Sequence, residues 1–160
     1  MSEPAFDASR VIADLRALAD LTGGPAGARR LCWTDEWVKA RGFLCERLSE
    51  LPVSVDVDEA GNLWAVLEGE RPERVVVGSH VDSVPSGGWL DGALGVMAAL
   101  EVLRAVAAAG KPPVTVALVD WADEEGARFG RSLFGSSAVA GTLDPDAVRG
   151  LVDAGGQRLE

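Results

Sequence analysis

Histidine occurs once in these 160 residues, at position 80. Any Ser-His-Asp or Cys-His chemistry would have to pass through it. Cysteine occurs twice, at Cys32 and Cys45, which form neither a CxxC pair nor a disulfide framework. Both read as small buried apolar residues in a reducing compartment. Basic side chains are scarce: 15 against 25 acidic ones, a net charge of −10. That balance lacks the basic stripe of a nucleic-acid footprint. No apolar run is long enough to span a bilayer, since the longest, Ala93 to Ala109, is interrupted by Glu101 and Arg104. The opening MSEPAFDASR has no basic segment followed by an apolar one. The expectation is a cytoplasmic protein with no nucleic-acid and no membrane partner.

What is present is enough for one domain with a hydrophobic core. Val11, Leu15 and Leu18 recur at helical spacing, predicting a helix over Asp7 to Leu21, ended by the glycine-rich run from Gly23 to Gly27. Thr34 is an expected N-cap for a second helix, with Asp35 and Glu36 in its first turn, running to about Glu50 before Pro52. Val53, Val55 and Val57 alternate with polar residues, and Leu63 to Leu67 returns after Ala60-Gly61-Asn62, which predicts a hairpin. The contiguous valines 75 to 77 suggest a strand buried on both faces. A long helix over Gly92 to Ala109 and a strand from Val114 to Trp121 follow.

Strand, helix and strand in succession make a crossover with parallel strands. The predicted fold class is α/β, with a mixed, largely parallel sheet and helices on both faces. Ligands of such sheets sit beyond the carboxyl ends of the strands. His80 ends one strand, and Asp123, Glu124 and Glu125 follow the end of the other, so both groups are expected at one crevice.

The chemistry of these side chains follows from their types. Asp82, two positions after His80, points to the same side of an extended segment and can hold the second ring nitrogen of a metal-binding imidazole. Taken alone, the blander reading is a satisfied histidine beside an unrelated loop acid. Asp91 directly precedes the long helix and reads either as its N-cap or as a cation ligand. The run 123–125 reads either as a solvated charge patch or as a cluster relieved by cations, with one carboxylate on metal and its neighbour facing water. His80, Asp91 and Glu125 form a mixed nitrogen and oxygen donor set that suits zinc or another first-row divalent ion.

Two long segments sharpen this reading. GSHVDSVPSGGWLDGALGVMAALEVLRA and DWADEEGARFGRSLFGSSAVAG, with a weaker match from Arg30 through Asn62, closely resemble the hydantoinase/carbamoylase family of amidohydrolases, within the zinc aminoacylase and exopeptidase group. The resemblance implies a zinc-exopeptidase-like catalytic domain and two divalent metal ions (Zn, or Mn, Co or Ni). It implies that His80 ligates the first ion, Asp91 bridges both and Glu125 ligates the second. Glu124 would be the catalytic base, and Asp82 would orient His80. The implied substrates are small ureido compounds, N-carbamoyl amino acids or allantoate, cleaved at linear C–N bonds.

The family pattern also asks for two further histidine ligands, a substrate-binding arginine and a lid domain that carries the dimer contact. No second histidine is found in these 160 residues. The expectation is therefore that residues 1–160 are the N-terminal part of the catalytic domain, inactive alone and completed by a C-terminal polypeptide. The alternative is a non-catalytic remnant that binds a metal or a partner.

Overall fold

A computed structural model describes residues 4–159. Helix α1, Ala8–Thr22, starts at Asp7, whose carboxylate accepts the Ser9 N–H at 2.9 Å, a side-chain N-cap. The glycine run after it pairs with itself: Gly23–Gly24 (β1) and Gly27–Ala28 (β2) form a short antiparallel ribbon where a plain turn was expected. Helix α2, Asp35–Leu48, has Thr34 at its N-cap position. The Thr34 hydroxyl donates to the Leu31 carbonyl at 2.6 Å instead of capping. The helix is closed by Ser49, slightly before the expected end.

The predicted hairpin is β3, Ser54–Val57, and β4, Leu63–Leu67. Its turn is built on Asp58, which accepts N–H groups from Ala60, Asn62 and the Trp64 ring. Strand β5 spans Arg71–Ser79, helix α3 Ala93–Ala109 and strand β6 Val114–Asp120. Two short helices follow, α4 at Phe134–Val139 and α5 at Pro145–Val148.

The four longer strands lie in the order β3-β4-β6-β5. The sheet is mixed, as expected, and its parallel part is the single pairing of β5 with β6. The other two pairings are antiparallel because the hairpin strand β4 returns beside β6. Register puts Leu63, Ala65 and Leu67 on the same face as Val116 and Leu118. That face meets Leu15 and Leu18 of α1, Leu44 and Leu48 of α2, and Met97, Leu100 and Leu103 of α3 in one continuous core. The three long helices therefore gather on one face instead of dividing between two. On the opposite face Trp64 of β4 meets Trp121, just past the end of β6, edge to face at 5.5 Å between ring centres.

Strand β5 corrects an expectation. Its valines are not buried on both faces: Val75 is 50 % exposed and Val76 45 %. The reason is position, because β5 is an edge strand with a neighbour on one side only. A contiguous valine run reports β-propensity and not the place of a strand in its sheet. The closing segment folds back on itself through Val152 and Arg158, and Asp153 pairs with Arg128 at 3.0 Å. Met1 to Glu3 and Glu160, the outermost parts of the terminal readings, lie outside the described residues. No helix among the described residues is long and apolar enough to cross a membrane.

A buried charge network locks the helices together. Glu101 of α3, 3 % exposed, accepts Arg10 at 2.6 and 3.0 Å and the Asp7 N–H at 2.8 Å. Asp14 of α1 joins Arg104 of α3 at 2.6 Å and Arg47 of α2 at 3.1 Å. Burial alone would push the Glu101 carboxyl up, but the Arg10 and Asp7 hydrogen bonds hold its pKa below the ordinary 4.5. Its stabilisation is thus present above pH 4.5 and lost as pH falls through the lowered value. Glu101→Gln is expected to lower stability by about 1–3 kcal/mol near neutral pH, the range for hydrogen bonds to charged groups. The difference from wild type should shrink in acid. Urea melts across pH check this, and a gap that widens on acidification would contradict the assignment.

Candidate metal centre

Parallel pairing of β5 with β6 brings two loops to the same end of the sheet. The first carries His80 to Asp91, and the second Asp123 to Glu125. The hinge between them is Asp82, only 1 % exposed. Its carboxylate accepts the backbone N–H of Glu124 at 3.4 Å and of Glu125 at 3.2 Å. The acid run therefore packs through its backbone against a carboxylate, while its side chains turn elsewhere.

His80 is buried, and its Nδ1 lies 3.1 Å from the Asp82 carbonyl oxygen and 3.4 Å from Asp82 Oδ1. Only acceptors stand on that side, so Nδ1 carries a proton and Nε2 is the nitrogen aimed at the crevice. From Nε2 it is 3.5 Å to Glu124 Oε2 and 3.9 Å to Asp91 Oδ1. Asp91 is exposed and does not cap the following helix: the N-cap is Gly92, with no side-chain cap hydrogen bond. Its carboxylate is thereby left free. Glu125 is half-buried, and its pKa is raised, first by burial and then by the carboxylates of Asp91, Glu124 and Asp82, against the pull of His80. Asp82, Asp91 and Glu124 are the carboxylates within ion-pair distance of His80 among the described residues.

Burial opposes charge on the imidazole, yet the Asp82 hydrogen bond and the charges of Asp82 and Glu124 outweigh it and lift the His80 pKa to about 9. Among the described residues no three His, Cys, Asp or Glu side chains are drawn together closely enough to grip an ion outright. The donor types fit a divalent cation nonetheless: one imidazole nitrogen and hard carboxylate oxygens on one crevice. Space fits too. At Gly92, φ is +61°, and a Cβ would stand 2.3 Å from the His80 carbonyl oxygen and 2.4–2.5 Å from its ring. The ring occupies the place a side chain would take.

Several contributors were not singled out from sequence. Asp123 is buried at a left-handed φ of +49°, with neither carboxylate oxygen hydrogen-bonded. Burial first, then the charge of Asp82, pushes its pKa to about 7. Only its place in the acid run pointed to it. Asp120, wholly buried at the end of β6, accepts Arg41 Nε at 2.8 Å and the Val81 N–H at 2.7 Å. Arg30, also wholly buried, donates from Nε to the Val81 carbonyl at 2.6 Å. Asn62 joins the hairpin turn to the second loop, accepting the Ala122 N–H at 2.9 Å and donating to Gly135. Neither cysteine joins the site, and burial raises the pKa of both thiols.

Comparison with known proteins matches the model for peptidase family M28 to residues 62–154, more than half the chain and all of the site loops. The chain belongs to peptidase family M28. Among relatives of this M28 chain, the N-carbamoyl-L-amino acid amidohydrolase of Geobacillus stearothermophilus is 42 % identical over 127 residues, 76 % of this chain and 31 % of that protein. The allantoate amidohydrolase of Escherichia coli is 38 % identical over 143 residues, 87 % of this chain and 35 % of that protein. A hydantoinase/carbamoylase family amidase from Burkholderia ambifaria superposes with a TM-score of 0.90 at 35 % identity, over 96 % of this chain and 38 % of that one. The resemblance carried by the two motifs is borne out, and so is the α/β fold. This M28 chain spans about a third of the length of the curated relatives it matches.

Gly92→Ala tests the cradle. Alanine at a left-handed φ, pressed against the His80 ring, is expected to lower stability by more than about 2 kcal/mol. The His80 ring should also shift. Urea melts and the imidazole NMR signals, which belong to a single histidine, read both effects. A neutral substitution with unmoved imidazole signals would show that the ring is not seated as described.

Proposed function

We propose that this chain carries the base and the first ligands of a binuclear-metal amidohydrolase acting on linear amide or ureido C–N bonds of N-carbamoyl amino acids, allantoate or similar small substrates. The carrying observation is the His80 ring, held by Asp82 on one nitrogen while the other faces Glu124 at 3.5 Å and Asp91 at 3.9 Å. The named activities of the Geobacillus and Escherichia relatives support the substrate class. The compartment that fits these substrates and the two free thiols is the cytoplasm.

In this reading His80 and Asp91 would hold the first of two divalent ions, zinc or manganese, cobalt or nickel, and Asp91 and Glu125 would hold the second. Such ions, when bound, supply a water acidic enough to ionise near neutral pH and a polarised carbonyl. Glu124 is the general base: it takes the proton from the attacking water and returns it to the departing nitrogen. Asp82 keeps Nδ1 of His80 protonated, so that Nε2 stays available. Residues 1–160 form the N-terminal part of the catalytic domain. The remaining ligands would lie outside residues 1–160, because one histidine and two or three carboxylates cannot give each of two ions three protein donors.

The test is a hydrolysis assay on an N-carbamoyl amino acid and on allantoate, with the 160-residue chain alone and with the complementary C-terminal polypeptide. No turnover is expected alone, and turnover is expected on reconstitution. Glu124→Gln in the reconstituted enzyme should reduce turnover at least about 100-fold, the lower range for a general base, with ion content kept. Glu125→Gln should lower ion content as well. Robust turnover by the chain alone, or a reconstituted enzyme indifferent to Glu124→Gln, would overturn the reading. A reconstituted complex that binds ions without turnover would favour the non-catalytic remnant.

A further inference from the structure

Val81 stands between the two residues whose relation defines the site, His80 and Asp82. It is wholly buried, and both of its backbone polar groups are gripped by charged side chains from distant parts of the chain. Its N–H donates to Asp120 Oδ1 at 2.7 Å, and its carbonyl accepts Arg30 Nε at 2.6 Å. Asp120 is itself fixed by Arg41, whose Nε lies 2.8 Å from its Oδ2 and whose guanidinium stacks over the Trp37 ring at 4.0 Å.

Arg30 does more than hold one carbonyl. Its backbone N–H donates to Ser83 Oγ at 3.0 Å, and its carbonyl accepts the Ser83 N–H at 3.0 Å. Its Nη2 reaches the Trp89 carbonyl at 3.5 Å, two residues before Asp91. One buried arginine therefore touches the loop beside His80, just past Asp82, and close to Asp91. A buried guanidinium without a carboxylate partner of its own is expensive to desolvate. Among the described residues, Arg30 Nη1 has no hydrogen-bond partner. A core position would be filled more cheaply by an apolar residue, so the charge and fork geometry of arginine call for a reason beyond packing.

We propose that Arg30 is a positioning residue: together with Asp120 it clamps the peptide groups on either side of Val81 and so fixes His80, Asp82 and Asp91 relative to one another before any ion arrives. The inference rests on the reading of His80 and Asp91 as ion ligands. Neighbours that orient metal ligands typically matter about 10- to 100-fold in ion affinity, and Arg30 acts one step further out, through the backbone that carries those ligands.

The experiment uses the 160-residue chain and three variants: Arg30→Met, Asp91→Ala, and Leu48→Ala as a control that weakens the core away from the site. Amide hydrogen exchange is read without ions, Co(II) affinity by calorimetry, and the Co(II) visible spectrum at saturation. Arg30→Met is expected to speed exchange at Val81, Asp82 and Ser83, to weaken Co(II) binding about 10-fold or more, and to change the saturated spectrum. Leu48→Ala should lower the melting temperature with affinity and spectrum unchanged. If Asp91→Ala binds Co(II) as wild type does, the ligand assignment fails, and the clamp is then judged on hydrogen exchange alone. If Asp91→Ala loses binding while Arg30→Met keeps wild-type exchange, affinity and spectrum, the ligand assignment stands and the clamp is overturned.

Discussion

Asp82 is the constraint on which the rest of the site depends. It is a buried carboxylate at the end of a parallel strand pair, and it engages both loops that leave that end. One loop presents His80, whose Nδ1 it faces; the other presents Glu124 and Glu125, whose backbone N–H groups it accepts. A buried carboxylate is stable only with such donors around it. The donors available are those that bring the imidazole and the acid run together. The same contacts that satisfy Asp82 thus assemble the crevice.

Behind Asp82 the fold supplies stiffness. The parallel pairing of β5 and β6 sets both loops at one end, and α3 seals the helical face beneath them. The hairpin contributes Asn62 to the second loop, and α2 contributes Arg41 to Asp120. Gly92 leaves room for the His80 ring at the point where α3 begins. The hairpin and α2 thus each reach the strand ends through polar contacts. Asp82, Asp91, Asp123, Glu124 and Glu125 make these loops strongly acidic.

The general plan was legible in the sequence because it follows from periodicity. Strand, helix and strand imply a parallel pair, and a parallel pair puts His80 and the run 123–125 at one end. Four things were not legible. The valines of β5 announced a strand but not an edge, since nothing local reports how many neighbours a strand has. Asp91 looked like an N-cap by position, and only coordinates reveal that Gly92 takes that place and leaves the carboxylate free. Arg30, Arg41 and Asp120 act through hydrogen bonds across 39 to 79 residues of chain, a distance over which spacing carries no information. Asp123 stood in the acid run without a role of its own, and its left-handed backbone turns it inward and separates it from its neighbours.

The central claim is that His80, Asp91 and Glu125 face one cation-binding crevice at the strand ends. Anomalous diffraction from crystals of this chain soaked in a zinc or cobalt salt tests it most directly. The account predicts an ion peak within coordination distance of His80 Nε2 and an Asp91 oxygen, with the Glu125 carboxylate turned toward the same space. A well-ordered ion elsewhere on the domain, with these three side chains unmoved and unoccupied at saturating salt, would contradict it.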